Sequence, residues 1–467
     1  MKIPKILIYL FFCVSHFVSF AQNNFTISGT VSEINSNETL IGVSIVIPEL
    51  ATGVTTNEYG FYSITLPKGE YSIIVSYLGF KDINIVLELD KNIKLDFQLE
   101  EETEQLEEVE VVENVEKTNI RKPQMSVSNL AATTIKRIPV VLGESDVLKA
   151  IVLLPGVSNA GEGSSGFNVR GGSVDQNLIL LDEATIFNSS HLFGFFSVFN
   201  PDAIKDIKLY KGGIPSRYGG RVSSVLEIFQ KEGNSKEFKA NGGIGAVASR
   251  LLLEGPIIKD KAAFLIGGRA SYAHLFLPLF DIENKAYFYD LNAKLNFKIN
   301  ENNNNSVGNF RWNHLFSDKL FSNLSLIYSD YYYGLKLDFI GFDWNSGIEN
   351  FNLKYDLKHY LNNNLQINYG INNIYYQFNP GKISPSRSSS GINEEQLIKK
   401  YANELAAYVD IEYDATPNFS MEVGVRLSNF NRLSQDQVFE YFNNNPVLYN
   451  PQLQIYQEAI PIGIKNQ

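Results

Sequence analysis

Two glycine-rich corners, each beside an apolar strand, constrain this chain more than anything else in it. The first lies in Gly166–Asp182, GFNVRGGSVDQNLILLD; the second, about thirty residues on, lies in Tyr210–Glu227, YKGGIPSRYGGRVSSVLE. In each, a polar corner (Arg170-Gly171-Gly172, then Tyr218-Gly219-Gly220) adjoins an aliphatic run, and Gly212-Gly213 adds a further pair. Glycine pairs beside arginine suit backbone that turns with φ > 0 or approaches another wall too closely for a Cβ. A nucleotide-binding loop is the competing use of glycine. Gly161-Glu162-Gly163-Ser164-Ser165-Gly166 has G-x-G-x-x-G spacing, but the pattern reads no strand into it and no helix after it, so a phosphate cradle is not expected.

The first residues set the compartment. Lys2 and Lys5 form a basic start, Ile6–Phe12 opens an apolar run, and Ser19-Phe20-Ala21 puts small residues at −3 and −1 before Gln22. This is the layout of a cleaved signal peptide, 1–21, and the run is too short for the roughly 20 residues of a membrane helix. Cys13, the single cysteine, lies within it and follows Phe11-Phe12 instead of the small residues of a lipoprotein site. The mature chain would then lack disulfides, thiolate metal sites and cysteine nucleophiles. Downstream no run of 18 apolar residues occurs, so no transmembrane helix is expected. With 25 tyrosines and 32 phenylalanines, an exported chain of this kind reads instead as a β-strand membrane protein. The formal charge of −11, more acidic still without Lys2 and Lys5, argues against nucleic acid as a partner.

Residues 25–99 carry short β-rich runs (FTISGTVS, GVSIVIP, GFYSITLP, YSIIVSYLG, LDFQL) parted by turn signals, which predicts a small antiparallel sandwich. The pattern G-V-S-I…T-N-E-Y-G-F-Y-S-I…P-K-G-E-Y…Y-L-G-F resembles the carboxypeptidase regulatory-like domain, a transthyretin-like module. The name carries no peptidase activity, since this unit has neither His nor Cys. Residues 100–122 form an acidic linker with nine glutamates between Glu100 and Glu116. Like charges there repel and stay solvated, although Leu106–Val112 (LEEVEVV) alternates charge with aliphatic side chains.

In 123–232 a helix is expected over Val140–Leu154, stopped by Pro155-Gly156, followed by strands at Phe167–Arg170, Asn177–Leu181 and Ile204–Tyr210, an α+β unit. From 233 to 467 the texture becomes amphipathic hairpins, with ten strands expected at 238–246, 247–256, 262–272, 287–299, 306–316, 320–333, 347–361, 364–378, 401–414 and 418–431. Period-2 alternation, as in Glu422–Leu427, fits one face on lipid and one on a wet lumen. Aromatic clusters at Tyr331–Tyr333, Tyr375-Tyr376 and Tyr287–Tyr289 are expected at strand ends. Long loops are expected at 273–286, 334–346 and 379–400. The consecutive short connections 300–305 and 317–319 break the alternation of short and long, so either a strand with its loop is missing or Asn302–Asn305 is a very small external loop.

The paired glycine motifs resemble the plug of outer-membrane TonB-dependent receptors, of the SusC-like type where the leading sandwich is present. Arg170, Gly171, Gly172 and Asp182 match its most recognisable positions; Gly212, Gly213, Tyr218, Gly219 and Gly220 form the companion motif. Arg311–Tyr333 also resembles barrel hairpins of these receptors. The resemblance implies a mostly β chain: a transthyretin-like sandwich, an α+β plug, and part of an antiparallel transmembrane β-barrel. It further implies that the motif residues hold plug geometry and do no chemistry. Leu106, Glu107, Glu108, Val109, Glu110, Val111 and Val112 would then be a TonB box, adding a strand to an energy-transducing TonB-type partner. A surface lipoprotein partner and an imported ligand of unknown identity also follow, with no cofactor and no metal. Family barrels have 22 strands, and ten cannot close around a plug, so the chain reads as incomplete at Gln467. The alternative is a surface binding or adhesion protein, which needs no box. An enzyme is not expected: the four histidines beyond the leader stand singly, and no Ser/His/Asp order or H-E-x-x-H occurs.

Overall fold

The computed structural model describes residues 24–102, 126–131, 135, 146–161, 166–191, 196–245, 247–272, 288–298, 304–306, 309–337, 340–416, 419–433, 438–445, 447–450, 452, 455–458 and 462–465. The expected leader and Leu106–Val112 lie outside them.

The first unit is a two-sheet sandwich. β1 (Asn24–Glu33) pairs with β4 (Phe61–Pro67), while β2 (Ser44–Ile47), β3 (Thr52–Thr55), β5 (Gly69–Ser76) and β6 (Ile83–Leu89) form the second sheet in the order β3-β2-β5-β6. Alternate residues Ile27, Val31, Ile45, Ile64, Leu66, Ile73 and Val75 point inward and are almost fully buried. The sandwich is not wholly antiparallel, as the sequence reading had it. β7 (Ile93–Lys94) and β8 (Phe97–Leu99) run parallel to β1, because the chain crosses from the second sheet back to the first before it pairs. Its last contacts reach past Leu99: Glu101 bridges Phe80, and the Glu102 N–H donates to Gly79.

The second unit wraps a five-stranded sheet, in the order β13-β12-β17-β16-β9. These are β9 (Val127–Ala131), β12 (Asn177–Leu181), β13 (Ala184–Thr185), β16 (Ile204–Tyr210) and β17 (Ser224–Gln230), with β12 and β17 parallel. Helix α1 covers Val147–Val152, much less than the expected Val140–Leu154, of which residues 140–145 lie outside the described part. Asp146, read as a helical position, instead caps it, accepting from the Lys149 N–H at 3.1 Å. Val147, Ile151, Phe167, Ile179, Ile207 and Ile228 make the core. A short strand does precede the glycine-spaced stretch: β10 (Val157–Asn159) pairs with β11 (Phe167–Val169). A strand and not a helix follows, so no nucleotide loop forms. β14 (Ser190–His191) and β15 (Phe196–Ser197) add a small hairpin.

The third unit is a run of antiparallel hairpins. β18 (Lys239–Ile244), β19 (Ala248–Ile258), β20 (Ala262–Ser271), β21 (Tyr289–Lys298) and β22 (Asn304–Ser306) form one sheet. β23 (Asn309–Ser317), β24 (Leu320–Leu337), β25 (Phe342–Asn362), β26 (Leu365–Pro385), β28 (Lys400–Thr416) and β29 (Phe419–Leu433) form the next, with β27 (Glu395–Gln396) on β26. At the parity break, the three-residue β22 pairs antiparallel with β21, and β23 begins three residues after it. Residues 334–346 are not a long loop: β24 runs on to Leu337 and β25 starts at Phe342, the two paired at that end. Strands of 18 to 21 residues exceed the roughly ten that cross a bilayer, so these hairpins project beyond it. Tyr331–Tyr333 and Tyr375-Tyr376 therefore fall within strands, whereas Phe288 and Tyr289 stand at the start of β21 as expected. Tyr331, Tyr375 and Phe430 each stand about ten residues from their short turns, one bilayer away.

Candidate functional site: the plug seat

The two glycine corners meet. Arg170 (φ 49°) and Gly171 (φ 81°) take left-handed conformations, and Gly172 lies so close to Ser223 that a Cβ would sit 2.2 Å from its hydroxyl. The Arg170 side chain donates to Ser126 at 2.7 Å and covers Gly212, whose Cβ would be 3.0 Å from the guanidinium. Gly213 (φ 58°) completes that turn.

The second corner rests on the barrel wall. The Ser216 N–H donates to Asp410 at 3.0 Å, and Arg426 donates to the Arg217 carbonyl at 3.1 Å. A Cβ on Gly219 would lie 2.5 Å from the Arg426 side chain, which would have to move to admit it; Gly220 follows at φ 78°. Tyr218 donates to buried Glu227 at 2.6 Å, beneath the Arg217 guanidinium.

Asp182 and Glu183, both with positive φ, form the turn after β12 and point into lumen-facing side chains of the barrel strands. Asp182 accepts from Lys294 on β21 at 3.0 Å and from the Gln230 N–H at 3.0 Å; its carbonyl accepts from Arg311 on β23. Glu183 accepts from Ser325 at 2.6 Å, from Lys354 at 3.4 Å and from the Tyr59 hydroxyl at 3.1 Å. Burial opposes the charge on Glu183, yet Lys354, Arg311 and Ser325 hold its carboxyl below the usual range.

Tyr59 belongs to the sandwich. The turn Asn57–Gly60 enters the seat, and Glu58 meets Lys358 of β25 at 2.6 Å, Arg217 at 3.0 Å and Lys208 of β16 at 3.8 Å. Burial works against Glu58, but Lys358, Arg217 and Lys208 together keep its carboxyl well below the ordinary value. The Tyr59 ring stacks on Phe321 at 5.2 Å, with Arg311 above it. A small cavity lies among Glu58, Glu183, Arg217, Lys354 and Tyr408. Sequence reasoning singled out Asp182 but missed Glu58, Glu183, Lys294, Lys354 and Lys358. Among the described residues no cluster of His, Cys, Asp or Glu could hold a metal. His191 stacks on Phe288 at 4.5 Å and pairs with Asp290, a packing role.

Comparison with known families decides what this seat belongs to. The TonB-dependent Receptor Plug Domain matches residues 119–224, and the CarboxypepD_reg-like domain matches 27–111. The chain therefore carries a plug domain of the TonB-dependent receptor type behind a CarboxypepD_reg-like domain. Among solved structures, the chain shares its fold with the copper transporter OprC, at 9% identity, TM-score 0.50, over 73% of this chain and 58% of that one. The siderophore receptor PirA from Pseudomonas aeruginosa aligns at 17% identity and TM-score 0.42, over 66% of this chain and 56% of PirA. The FpvAI–pyocin S2 complex aligns at 12% identity and TM-score 0.47, over 67% and 54%. The chain thus spans less than two thirds of these structures' lengths. No curated protein matches its sequence significantly.

Proposed function

We propose that this chain serves TonB-driven import: ligand binds external loops and plug apices, and force applied through Leu106–Val112 displaces the plug. The observation that carries this reading is the chemistry of the seat. Plug and barrel meet through charged and hydrogen-bonded pairs (Asp182 with Lys294, Glu183 with Lys354 and Ser325, Ser216 with Asp410), which water can replace when they part. The plug keeps its own apolar core of Ile179, Ile207 and Ile228, so it can leave as a unit without opening that core. Energy would come from the inner membrane through a TonB-type protein, and a surface lipoprotein would deliver a ligand whose class is open. The arrangement of 25–99 as sandwich, 100–122 as linker, 123–232 as plug and 233–467 as barrel is part of the same reading.

The test is binding of a purified TonB periplasmic domain to the receptor in outer-membrane vesicles. Val109→Pro with Val111→Pro removes two backbone donors and blocks a paired strand, and binding should drop at least roughly tenfold. Glu108→Gln leaves the backbone intact and should bind like the parent. Equal binding by all three would contradict the box and favour the display-only alternative.

A further inference from the structure

The sandwich touches plug and barrel at once, at three places. Its Asn57–Gly60 turn puts one carboxylate, Glu58, among cations from both bodies: Lys208 and Arg217 of the plug and Lys358 of the barrel. Its β1–β4 sheet grips two barrel turns: Asp318 accepts from Ser28 at 3.3 Å and from Asn92 at 3.2 Å, and Asn363 accepts from the Thr65 N–H at 2.7 Å. Beside these, Thr39 donates to Glu232 at 3.2 Å and accepts from Lys205 at 3.2 Å, tying the sandwich to the end of the plug sheet where β16 starts and β17 stops.

We propose that the docked sandwich is a bolt: Glu58 holds the plug cations against the barrel's Lys358, and the plug is released only after the sandwich withdraws. The electrostatics favour this order. With Glu58 in place, three cations at low exposure share its carboxylate, and Glu227 is a further counter-charge to Lys208 and Arg217; with Glu58 gone, Glu227 alone faces the plug cations, Lys358 loses its carboxylate partner, and like charges in a poorly solvated seat repel more strongly. Withdrawal therefore removes a tie and adds a push. The candidate box begins seven residues after Leu99, the end of the last sandwich strand, so a pull there reaches the sandwich directly. The bolt rests on the reading of the plug as a part that moves.

Hydrogen exchange on the full chain in outer-membrane vesicles tests it, with two variants. Glu58→Gln should raise exchange at plug amides in β16 and β17 roughly tenfold, while sandwich amides at Ile27, Ile64 and Ile73 stay protected and show that the domain is folded. Ser28→Cys with Asp318→Cys gives a pair that can lock the sandwich to the barrel turn, in a chain whose single native cysteine is Cys13. Oxidation of that pair should slow plug exchange relative to the reduced form. Plug exchange indifferent to Glu58→Gln and to oxidation would overturn the bolt. It would leave import untouched, because TonB-domain binding to Leu106–Val112 is a separate readout that does not pass through Glu58.

Discussion

The sandwich and the sheet of β23–β29 use the same pleat with opposite polarity. In the sandwich, aliphatic residues of alternate positions are buried against each other: Ile27 with Val31, Ile73 with Val75. In β28 and β29 the aliphatic positions are the exposed ones: Leu405, Val409, Ile411, then Val423, Val425 and Leu427, the last 74% exposed. Their neighbours of opposite parity turn inward: Ala406, Tyr408 and Asp410 on β28, the last only 2% exposed, and Glu422 and Arg426 on β29. A water-soluble sheet facing solvent on one side puts polar residues there. Apolar side out and charge inside is the pattern of a strand with lipid outside and a polar interior. The plug supplies that interior, which is why Lys294, Lys354 and Arg426 find partners on Asp182, Glu183 and the Ser216-Arg217 backbone.

The largest expected effect breaks the sandwich half of the comparison. Ile64→Asp buries an unpaired carboxylate in a dry core and should cost roughly 4 kcal/mol or more, seen as loss of protease resistance across 25–99. On the barrel half, Val425→Arg sets a charge against hydrocarbon near the middle of β29 and should cost about 2–4 kcal/mol in urea unfolding from lipid. Glu422→Gln, on the opposite face, should stay within about 0.5 kcal/mol. Were Val425→Arg as mild as Glu422→Gln, the outward face would be wet.

A smaller effect lies in the plug. Burial pushes the Asp206 carboxyl from 3.8 up to about 6. The folded group then binds a proton more readily than the unfolded one, so its burial weakens the plug increasingly as pH rises from about 4 through about 6. Asp206→Asn should stabilise the plug at pH 7 by roughly 1–3 kcal/mol and by progressively less toward pH 4. A variant with the parent's pH profile would contradict this.

Much of this was legible in the sequence because local pattern carried it. Asn177–Leu181 and Ile204–Tyr210 are strands with the bounds their aliphatic runs imply, and the glycine corners are tight turns. Strand length was underestimated at Leu337, Phe342 and Pro385 because the projecting parts meet water on both faces and lose the lipid-driven alternation. Helix length was overestimated because Asp146, spaced like a helical residue, caps instead. Glu58 was illegible for a different reason. Its turn reads as an ordinary Asn-Glu-Tyr-Gly corner, and its meaning lies in cations about 150 to 300 residues away that only the fold brings near.

The polarity of β29 in a bilayer tests the central claim most directly. Single cysteines at 419 through 428, in a chain with no native cysteine after Cys13, can be spin-labelled and probed with oxygen and a water-soluble paramagnet. The account predicts strict alternation: Phe419, Met421, Val423, Val425 and Leu427 positions reached by oxygen from the lipid, Ser420, Glu422, Gly424, Arg426 and Ser428 positions not. Uniform aqueous exposure along the strand, or the reverse parity, would contradict it.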